Sequence, residues 1–351
     1  MRDLDNRRTY EELDPTFMRH RLAGFPDQCK KAWEEVSAFR LPSDYRRVER
    51  VVVLGMGGSA IGGDLLADLA SLESSPPVLV SRDYGLPPYV DQRTLVIACS
   101  YSGNTAETLS SFRQALSRGA RVVAVTSGGT LAGEARGKGV PAFILRYQGE
   151  PRSALGYLFL SPVGILQRLG LLKDKSRDVA EAVERLEALR SQWAEDVPHE
   201  KNSAKELARD LAGRVVVVYG AGAFGAVAHR WKTQLNENSK VWAFWEMLPE
   251  AHHNSVVGYG LPEGIARMGA VVLIRPPGLH PQLGQRFDLT CELLEREGVP
   301  SYMVELEGPN PLCRMLTGTY FGDCVSYYLA VLQGVDPSPV PPIDFIKSRL
   351  T

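Results

Sequence analysis

The stretch RVVVLGMGGSAIGGD, residues 50–64, decides the fold class of this chain. Its unbroken run of valine and leucine is typical of a strand that is buried on both faces. The glycines that follow let the backbone turn tightly, and a helix is expected after them. The stretch RVVVVYGAGAFG, residues 214–225, shows the same order of apolar run and glycine loop. We therefore expect two halves that each begin with a strand, a glycine loop and a helix.

Other short apolar runs predict the remaining strands. In the first half they are PVLVS (77–81), TLVIACS (94–100), RVVAVTS (121–127) and PAFILR (141–146). In the second half they are KVWAFWE (240–246), GAVVLIR (269–275) and PSYMVEL (300–306). Segments of helical character lie between most of these runs. Because buried strands alternate with helices, the sequence predicts an α/β fold with parallel sheets.

Length and pattern together predict five segments. With 351 residues the chain exceeds the usual size of one domain, so two domains are expected. The predicted segments are an N-terminal helical segment at 1–48, a first α/β domain at 49–165, a helical linker at 166–200, a second α/β domain at 201–335 and a C-terminal tether with a helix at 336–351.

The composition favours a soluble protein of the cytoplasm. A formal net charge of −1 gives no electrostatic reason to expect a nucleic acid or a membrane as partner. The polar start is unlike a secretory signal peptide, and no apolar run approaches the roughly 20 residues that span a bilayer. The cysteines are odd in number and form no C-x-x-C pair, which predicts neither disulfides nor a zinc site. They are Cys29, Cys99, Cys291, Cys313 and Cys324.

A hydroxyl-rich loop, SYSGNTAET at residues 100–108, follows the third predicted strand. Asn104 with Glu107 three residues later is a helix-start signature. Ser100, Ser102 and Thr105 then surround a helix N-terminus, where hydroxyls, free N–H groups and the helix dipole favour a dianionic phosphate. The alternative is that these hydroxyls only cap the helix. The loop lacks the lysine that ends a nucleotide P-loop.

The second glycine loop has an alternative explanation. Gly220, Gly222 and Gly225 fit the G-x-G-x-x-G spacing of dinucleotide-binding proteins, and Glu246 follows at a distance suited to contact with ribose. A nicotinamide-dependent oxidoreductase is therefore one hypothesis. Against it, the strand that holds Glu246 runs directly into the segment MLPEAHHN, and the hydroxyl-rich loop would have no use.

Several motifs resemble those of a known family. The loops GMGGSAIGGD and SYSGNTAET resemble the sugar isomerase (SIS) domain, a doubly wound module that binds phosphosugars. LDPTFMRHRLAGFPDQCKKAW, PRSALGYL, QLNENSK, LPEAHHNSVVGY and DFIKSRL resemble, in order, segments of the bifunctional phosphoglucose/phosphomannose isomerases. The resemblance implies two doubly wound parallel-sheet SIS domains, each a flavodoxin-like three-layer sandwich. It also implies a homodimeric enzyme that uses no cofactor and acts on glucose-6-phosphate, mannose-6-phosphate and fructose-6-phosphate.

The resemblance also implies which residues form the site. Those that would line the sugar are Gly57, Gly58 and Ser59, and those that would hold the 6-phosphate are Ser100, Ser102 and Thr105. Those that would act in the chemistry are Arg152, Glu237, His253 and Lys347. No metal is implied, and the single adjacent histidine pair does not suggest a metal site.

These residue types suit an aldose–ketose isomerisation. A carboxylate such as Glu237 can move a proton between C2 and C1 through a cis-enediol. Arg152 can stabilise the negative charge of the enediolate, because a guanidinium stays protonated. His253 and Lys347 can assist ring opening by accepting and donating protons. Without the family resemblance, each would pass for an ordinary surface residue.

The sequence departs from the family pattern at two points, around His253 and at Ser338. Ser255 follows His-Asn where the family usually has an acid, and His252 directly precedes His253. Asn254 sets the alignment that favours His253 as the acting imidazole. Ser338 stands where related chains often have a threonine, and that hydroxyl is linked to tolerance of both C2 epimers.

Two further hypotheses belong to other classes of protein. A non-catalytic phosphosugar regulator needs an effector domain, and the short N-terminal segment carries no basic cluster. An amidotransferase related to glucosamine-6-phosphate synthase needs a glutaminase domain with an N-terminal nucleophile, which is absent from this sequence.

Overall fold

The computed structural model describes residues 2–73 and 76–350, apart from the side chain of Ile265. The chain divides into two units, which hold one sheet each. The first unit consists of Gly24–Leu186 and Gly308–Leu316, and the second of Met1–Ala23, Glu187–Glu307 and Thr317–Thr351. Because the strand pairings of the described residues are parallel and helices separate most of the strands, the predicted α/β fold class is confirmed. The five-segment division of the sequence stays a prediction.

The helices and strands of the described residues have the following bounds. The helices are α1 (Arg7–Leu13), α2 (Met18–Ala23), α3 (Phe25–Ser37), α4 (Gly57–Ser71), α5 (Ala106–Ser117), α6 (Gly129–Gly137), α7 (Leu155–Arg168), α8 (Ser176–Gln192), α9 (Ser203–Asp210), α10 (Gly225–Glu237), α11 (Glu263–Met268), α12 (Pro281–Arg296), α13 (Pro311–Gln333) and α14 (Pro341–Lys347). The strands are β1 (Arg50–Leu54), β2 (Val78–Ser81), β3 (Thr94–Cys99), β4 (Arg121–Thr126), β5 (Ala142–Ile144), β6 (Val215–Ala221), β7 (Ala243–Leu248), β8 (Gly269–Arg275) and β9 (Ser301–Glu305).

The sheet of the first unit has five parallel strands in the order β2-β1-β3-β4-β5. This is the order of flavodoxin-like doubly wound sheets, as the family resemblance implies. Strand β1 pairs with β2 on one side and with β3 on the other, so the strand order reverses between β1 and β3. Ligands of such sheets bind outside the carboxyl ends of the strands at this reversal. The loops GMGGSAIGGD and SYSGNTAET follow β1 and β3, so both begin at this reversal.

Helix α4 packs closely on α7 in the first unit, and glycine makes this approach possible. A Cβ atom on Gly62 would stand 2.2 Å from the carbonyl oxygen of Leu158. No side chain fits at that distance, so a glycine is required for α4 to reach α7. The contact fixes the direction of α4, whose first turn belongs to the candidate site.

The sheet of the second unit has four parallel strands in the order β7-β6-β8-β9. Its strand order also reverses, between β6 and β8. Helix α10 follows the glycine loop after β6, and it lies against β6 and β7. The predicted repeat of strand, glycine loop and helix is therefore present in both units.

Helices α10 and α13 are joined inside the second unit by buried polar contacts. Arg230 of α10 donates to both carboxylate oxygens of Asp323 of α13, at 3.0 and 2.8 Å. The indole Nε1 of Trp231 donates to the carbonyl oxygen of Gly318 at 2.7 Å. Gly322 leaves room for the Trp231 ring, since a Cβ there would lie 2.4 Å from Nε1. These contacts fix the helix that ends at Glu237.

The N-terminal residues belong to the second unit, where the buried side chain of Lys205 binds them. Its ammonium donates to the carbonyl oxygens of Leu4, Glu195 and Val197 at 2.8 Å and to Asp5 at 3.1 Å. Although burial works against the charged carboxylate of Asp5, hydrogen bonds from His199 and Lys205 outweigh this effect and lower its pKa.

Strand β7 begins three residues later than the sequence predicts. The apolar run suggests a strand from Lys240, but β7 starts at Ala243 and continues to Leu248. Lys240 has a positive φ of 60°, and Asn236 of α10 donates to the carbonyl oxygen of Val241 at 2.9 Å. The chain therefore turns at Lys240 and is held to the end of α10 at Val241 before the strand begins. Within residues 2–73 and 76–350, no helix has the length and apolar character that crossing a membrane requires.

Candidate functional site

Three hydroxyl side chains gather where β3 leads into α5. Ser100 is buried directly after the strand, and its hydroxyl lies 3.0 Å from that of Thr105. Thr105 is the N-cap residue of α5, yet its side chain does not cap the helix. Ser102 lies between them and is exposed. The hydroxyls of Ser100 and Thr105 therefore contact each other beside the N-terminus of α5, and the Ser102 hydroxyl accepts from the N–H of Asn104 at 3.3 Å.

The helix-start signature of the sequence is displaced by one residue. Helix α5 begins at Ala106 after Thr105, whereas Asn104 with Glu107 predicts a cap at Asn104. The Asn104 carboxamide oxygen instead accepts from the backbone N–H and the hydroxyl of Thr130, both at 3.0 Å, at the start of α6. Asn104 therefore binds the start of a helix, as its residue type suggests. That helix is α6, which is distant in the sequence, and not α5.

Gly103 allows the loop to turn at this place. Its φ is +70°, and a Cβ would stand 1.9 Å from the carbonyl oxygen of Gly128. Both the backbone conformation and the space therefore require glycine. The turn brings the N–H of Gly103 to 3.1 Å from the Ser100 hydroxyl, which accepts from it.

The first glycine loop lies against the hydroxyl loop. Ser59, in the first turn of α4, accepts a hydrogen bond from the N–H of Tyr101 at 3.1 Å. Gly57 has a φ of +49° and no atom near its missing side chain. A Cβ on Gly58 would lie 3.0 Å from the backbone of Pro151 and Arg152, so this loop also touches the segment that carries the arginine.

Arg152 is buried, which is unusual for an arginine. It lies in the short 3-10 helix Pro151–Ser153 with 4% of its surface exposed. A guanidinium keeps its charge in proteins, so a permanent positive charge lies behind the first glycine loop. The resemblance assigned this residue a role, whereas the sequence pattern alone suggested a surface position.

Sequence reasoning did not single out Thr108. This residue follows Glu107 in the first turn of α5, and its buried hydroxyl has no hydrogen-bond partner among the described residues. Buried hydroxyls are rarely left unpaired. The sequence offers one indication of it, the second threonine in SYSGNTAET, and this indication is not specific.

The first unit brings together the residues that the resemblance assigns to the sugar, to the phosphate and to the enediolate. They are Gly57, Gly58, Ser59, Ser100, Ser102, Thr105 and Arg152. This arrangement suits an oxyanion.

Glu237 is the last residue of α10 in the second unit. The residues after it are held by α13. The Asn238 carboxamide donates to the Ser326 hydroxyl at 3.0 Å, and the Ser239 hydroxyl donates to the Ser326 carbonyl oxygen at 2.7 Å. Gln333 donates to the carbonyl oxygen of Ser239 at 2.9 Å. The half-buried Glu237 therefore stands beside a fixed helix end.

The two adjacent histidines have different surroundings. His252 is half-buried, with Arg286 3.0 Å from Nδ1 and Thr290 2.8 Å from Nε2. Because arginine only donates, Nδ1 must accept and the proton must lie on Nε2. Burial, together with the positive charges of Arg286 and His253, lowers the pKa of His252. His253 is exposed, which favours it as the imidazole that reaches a ligand.

The C-terminal tether is buried at its middle and exposed at its end. Ser338 is 7% exposed, and its hydroxyl lies 2.5 Å from that of Thr16. Helix α14, which carries Lys347 as its last residue, is exposed along its whole length. Glu237, His253 and Lys347 thus lie on three separate elements of the second unit.

The glycine loop after β6 is used for packing. Gly222 has a φ of +54°, and a Cβ on Gly225 would lie 2.7 Å from the sulfur of Met247. Glu246, which the oxidoreductase hypothesis assigns to a ribose, accepts a hydrogen bond from Ser255 at 3.0 Å. The loop therefore starts α10 and packs it on β7.

Comparisons with known proteins agree with this architecture. The SIS domain model matches residues 44–137, and the model of the bacterial phospho-glucose isomerase C-terminal SIS domain matches residues 200–350. A solved structure of a glucose-6-phosphate isomerase like protein from Thermus thermophilus aligns over 99% of both chains, with a TM-score of 0.62 and 21% identity. The fold is therefore that of a protein with two SIS domains.

Two curated relatives define the family more closely. The chain is 39% identical over 328 residues to the bifunctional phosphoglucose/phosphomannose isomerase of Caldicellulosiruptor bescii, which covers 93% of this chain and 96% of that protein. It is 36% identical over 331 residues to the enzyme of the same name from Aquifex aeolicus, over 94% of this chain and 97% of that one. The chain belongs to the bifunctional phosphoglucose/phosphomannose isomerase family. The family resemblance stated from the sequence is confirmed.

Proposed function

We propose that this protein interconverts glucose-6-phosphate and mannose-6-phosphate with fructose-6-phosphate. The observation that carries the proposal is the cluster of hydroxyls at the start of α5, next to Ser59 and at the strand-order reversal of the first unit. Its chemistry suits a phosphate dianion, and the curated relatives bear the name of phosphoglucose/phosphomannose isomerases. Neither observation favours a regulator without catalysis.

The residues of the first unit bind and orient the substrate in this proposal. Ser100, Ser102 and Thr105 donate to the 6-phosphate, together with the free N–H groups of α5. Gly57, Gly58 and Ser59 line the sugar, because the glycines allow a ligand to approach the backbone. Arg152 stabilises the enediolate oxygen with a charge that does not depend on pH.

The residues of the second unit transfer protons. His253 and Lys347 open the sugar ring: one removes the proton from the C1 hydroxyl, and the other gives a proton to the ring oxygen. Glu237 then removes the C2 proton of the open aldose and returns it to C1, and the hydroxyl proton moves from O2 to O1. The same carboxylate thus accepts and gives back one proton, so no electron acceptor is consumed and no nicotinamide or other cofactor takes part.

Replacement of Glu237 by glutamine tests the proposed base. The change keeps the shape of the side chain and removes its basicity, so kcat should fall by about 10²–10⁴-fold. Binding of fructose-6-phosphate, measured by titration calorimetry, should be nearly unchanged. The activity assay starts from fructose-6-phosphate and detects both aldose products separately. An E237Q variant with the wild-type rate would refute the role of the base, and absence of both products from the wild type would refute the function.

We further propose that the enzyme is a cytoplasmic homodimer of central sugar metabolism, in glycolysis and gluconeogenesis. Support for the dimer comes from exposed apolar residues of the second unit. Trp242, Phe244 and Trp245 at strand β7 are 73%, 42% and 38% exposed, and Phe345 and Ile346 of α14 are each 57% exposed. Exposed aromatic clusters of this kind are typical of association surfaces.

A further inference from the structure

Lys240 has an unusual backbone conformation three residues after the proposed base. Its φ of 60° lies in the left-handed region, and Phe17 is the other non-glycine residue with a positive φ in the described part of the chain. Chains that leave a helix commonly place glycine in this conformation, because a side chain costs energy there. Because lysine takes this conformation in spite of its cost, we expect its side chain to make a stabilising contact.

The ammonium of Lys240 joins two segments that are far apart in sequence. It donates to the carbonyl oxygen of Glu237 at 2.5 Å and to the carbonyl oxygen of Pro337 at 3.1 Å. The first acceptor is at the C-terminal end of α10, where the helix dipole also favours a cation. The second belongs to the tether that precedes α14. A single charged group therefore bridges the end of the base-bearing helix and the tether that leads to the terminal helix.

The tether is held on its other side as well. Ser338 contacts the hydroxyl of Thr16, and its backbone N–H donates to Asp336 at 2.8 Å. Pro337 and Ser338 are buried, whereas every described residue of the chain from Pro341 onward is exposed. The anchor point of α14 therefore lies at Pro337 and Ser338, where Lys240 makes its bridge.

The loop that carries Lys240 is itself fixed to α13 through Asn238 and Ser239. The backbone around Lys240 is therefore held in place. The hydrogen bond from its ammonium to the carbonyl oxygen of Pro337 holds the tether relative to this backbone. Without the ammonium, the carbonyl oxygens of Glu237 and Pro337 would lose a shared donor, and the tether could move relative to α10.

We propose that Lys240 is a positioning residue for the isomerisation. By bridging Glu237 and Pro337, it holds the tether at a fixed place beside the end of α10. This contact positions Glu237 at the helix end and Lys347 on the helix that follows the tether. This role rests on the proposed function, in which these two residues transfer protons. Lys240 itself touches neither substrate nor reacting atoms in the proposal.

The variant K240N separates the ammonium from the backbone turn. Asparagine tolerates the left-handed conformation better than most residues, so the loop should keep its shape. We expect kcat to fall by about 10- to 100-fold, the effect of a small misplacement of catalytic groups. KM for fructose-6-phosphate and the urea midpoint should stay close to the wild-type values. K240R should recover part of kcat, because a guanidinium can donate to both carbonyl oxygens.

The matched control is K138N, which removes an exposed lysine just after the end of α6 and should leave kcat unchanged. Hydrogen exchange of the amides of residues 336–348 is compared in parallel and should be faster in K240N than in the wild type. A K240N variant with wild-type kcat and wild-type exchange would overturn the positioning role.

A second comparison distinguishes failure of the proposed isomerase function from failure of the Lys240 bridge. Wild type and E237Q are assayed beside the Lys240 variants, and a wild type without isomerase activity would refute the function alone. In that case the exchange comparison decides whether Lys240 holds the tether. Unchanged exchange in K240N then refutes the bridge, and faster exchange supports it.

Discussion

At the scale of single residues, the neighbouring imidazoles of His252 and His253 are expected to do different work. The lowered pKa of His252 means that the folded protein resists its protonation, whereas the unfolded chain takes up this proton near the ordinary value of 6.5. Below that pH the unfolded state binds more protons, so the free energy of unfolding decreases as the pH falls. His252 therefore makes the protein less stable in mild acid.

The variants H252N and H253N test this division. H252N should have a lower free energy of unfolding at pH 7.5, because the contacts to Arg286 and Thr290 are lost, and its stability should fall less between pH 7.5 and 5.5 than that of the wild type. H253N should keep the wild-type stability at pH 7.5 and lose kcat. Urea unfolding at both pH values and the isomerase assay give the comparison. The reverse pattern would show that His252 is the acting imidazole.

Residue types could be predicted from the sequence more readily than their partners. The hydroxyls of Ser100, Ser102 and Thr105 crowd a helix start because their spacing in the chain is short. By contrast, Asn104 caps α6 through Thr130, which lies 26 positions later, and Lys240 reaches Pro337 across 97 positions. Contacts over such distances depend on the folded arrangement, and no local pattern records them.

At the scale of elements, the pair of α10 and α13 should depend on its buried ion pair. The side chains of Arg230 and Asp323 are 1% and 6% exposed and form two parallel hydrogen bonds. D323N removes the carboxylate charge of the pair and keeps the buried guanidinium, and removing one partner of a buried pair costs about 3–5 kcal/mol. We therefore expect a large decrease in the free energy of unfolding, measured by urea denaturation.

An exposed ion pair between two helices of the first unit provides the control. Arg113 of α5 contacts Glu134 of α6, and their side chains are 57% and 29% exposed. E134Q should cost at most about 1 kcal/mol, because solvent screens such a pair. In addition, the double variant R230M/D323L should recover much of the stability that D323N loses, since it leaves no unpaired charge. Equal decreases in the free energy of unfolding of D323N and E134Q would contradict the expectation that burial makes the Arg230–Asp323 pair the more costly one to break.

The existence of the elements followed from the sequence better than their ends did. Runs such as RVVAVTS become strands because both faces of the sheets are covered and the runs are apolar throughout. Strand β7 is the exception, since KVWAFWE begins with Lys240 in a left-handed conformation and with the exposed Trp242. The beginning of β7 is determined by the way α10 ends, which is a tertiary effect.

At the scale of the whole molecule, the two glycine loops lie in similar positions, each beside a strand-order reversal, but their surroundings differ. Both units have the same sequence of strand, glycine loop and helix, and the spacing of the glycines cannot distinguish them. The first unit adds a hydroxyl loop after the neighbouring strand β3, which gives the reversal a set of donors. In the second unit, the loop after β6 is packed against Met247, and the far end of its helix carries Glu237.

The exposed edge of the second sheet leads to a prediction about association. Strand β7 is an edge strand of the four-stranded sheet, and the rings of Trp242 and Phe244 lie 5.1 Å apart at its surface. We expect the wild type to sediment with twice the mass of one chain. The variant W242E/F244E should sediment as a monomer, because the two introduced carboxylates would have to be buried in the dimer interface. The control is I144E on β5, an edge strand of the first unit, where Ile144 is 43% exposed. This variant should remain a dimer. If both variants dimerise like the wild type, the β7 aromatic residues do not form the interface, and if the wild type itself is monomeric at micromolar concentration, the homodimer proposal is wrong.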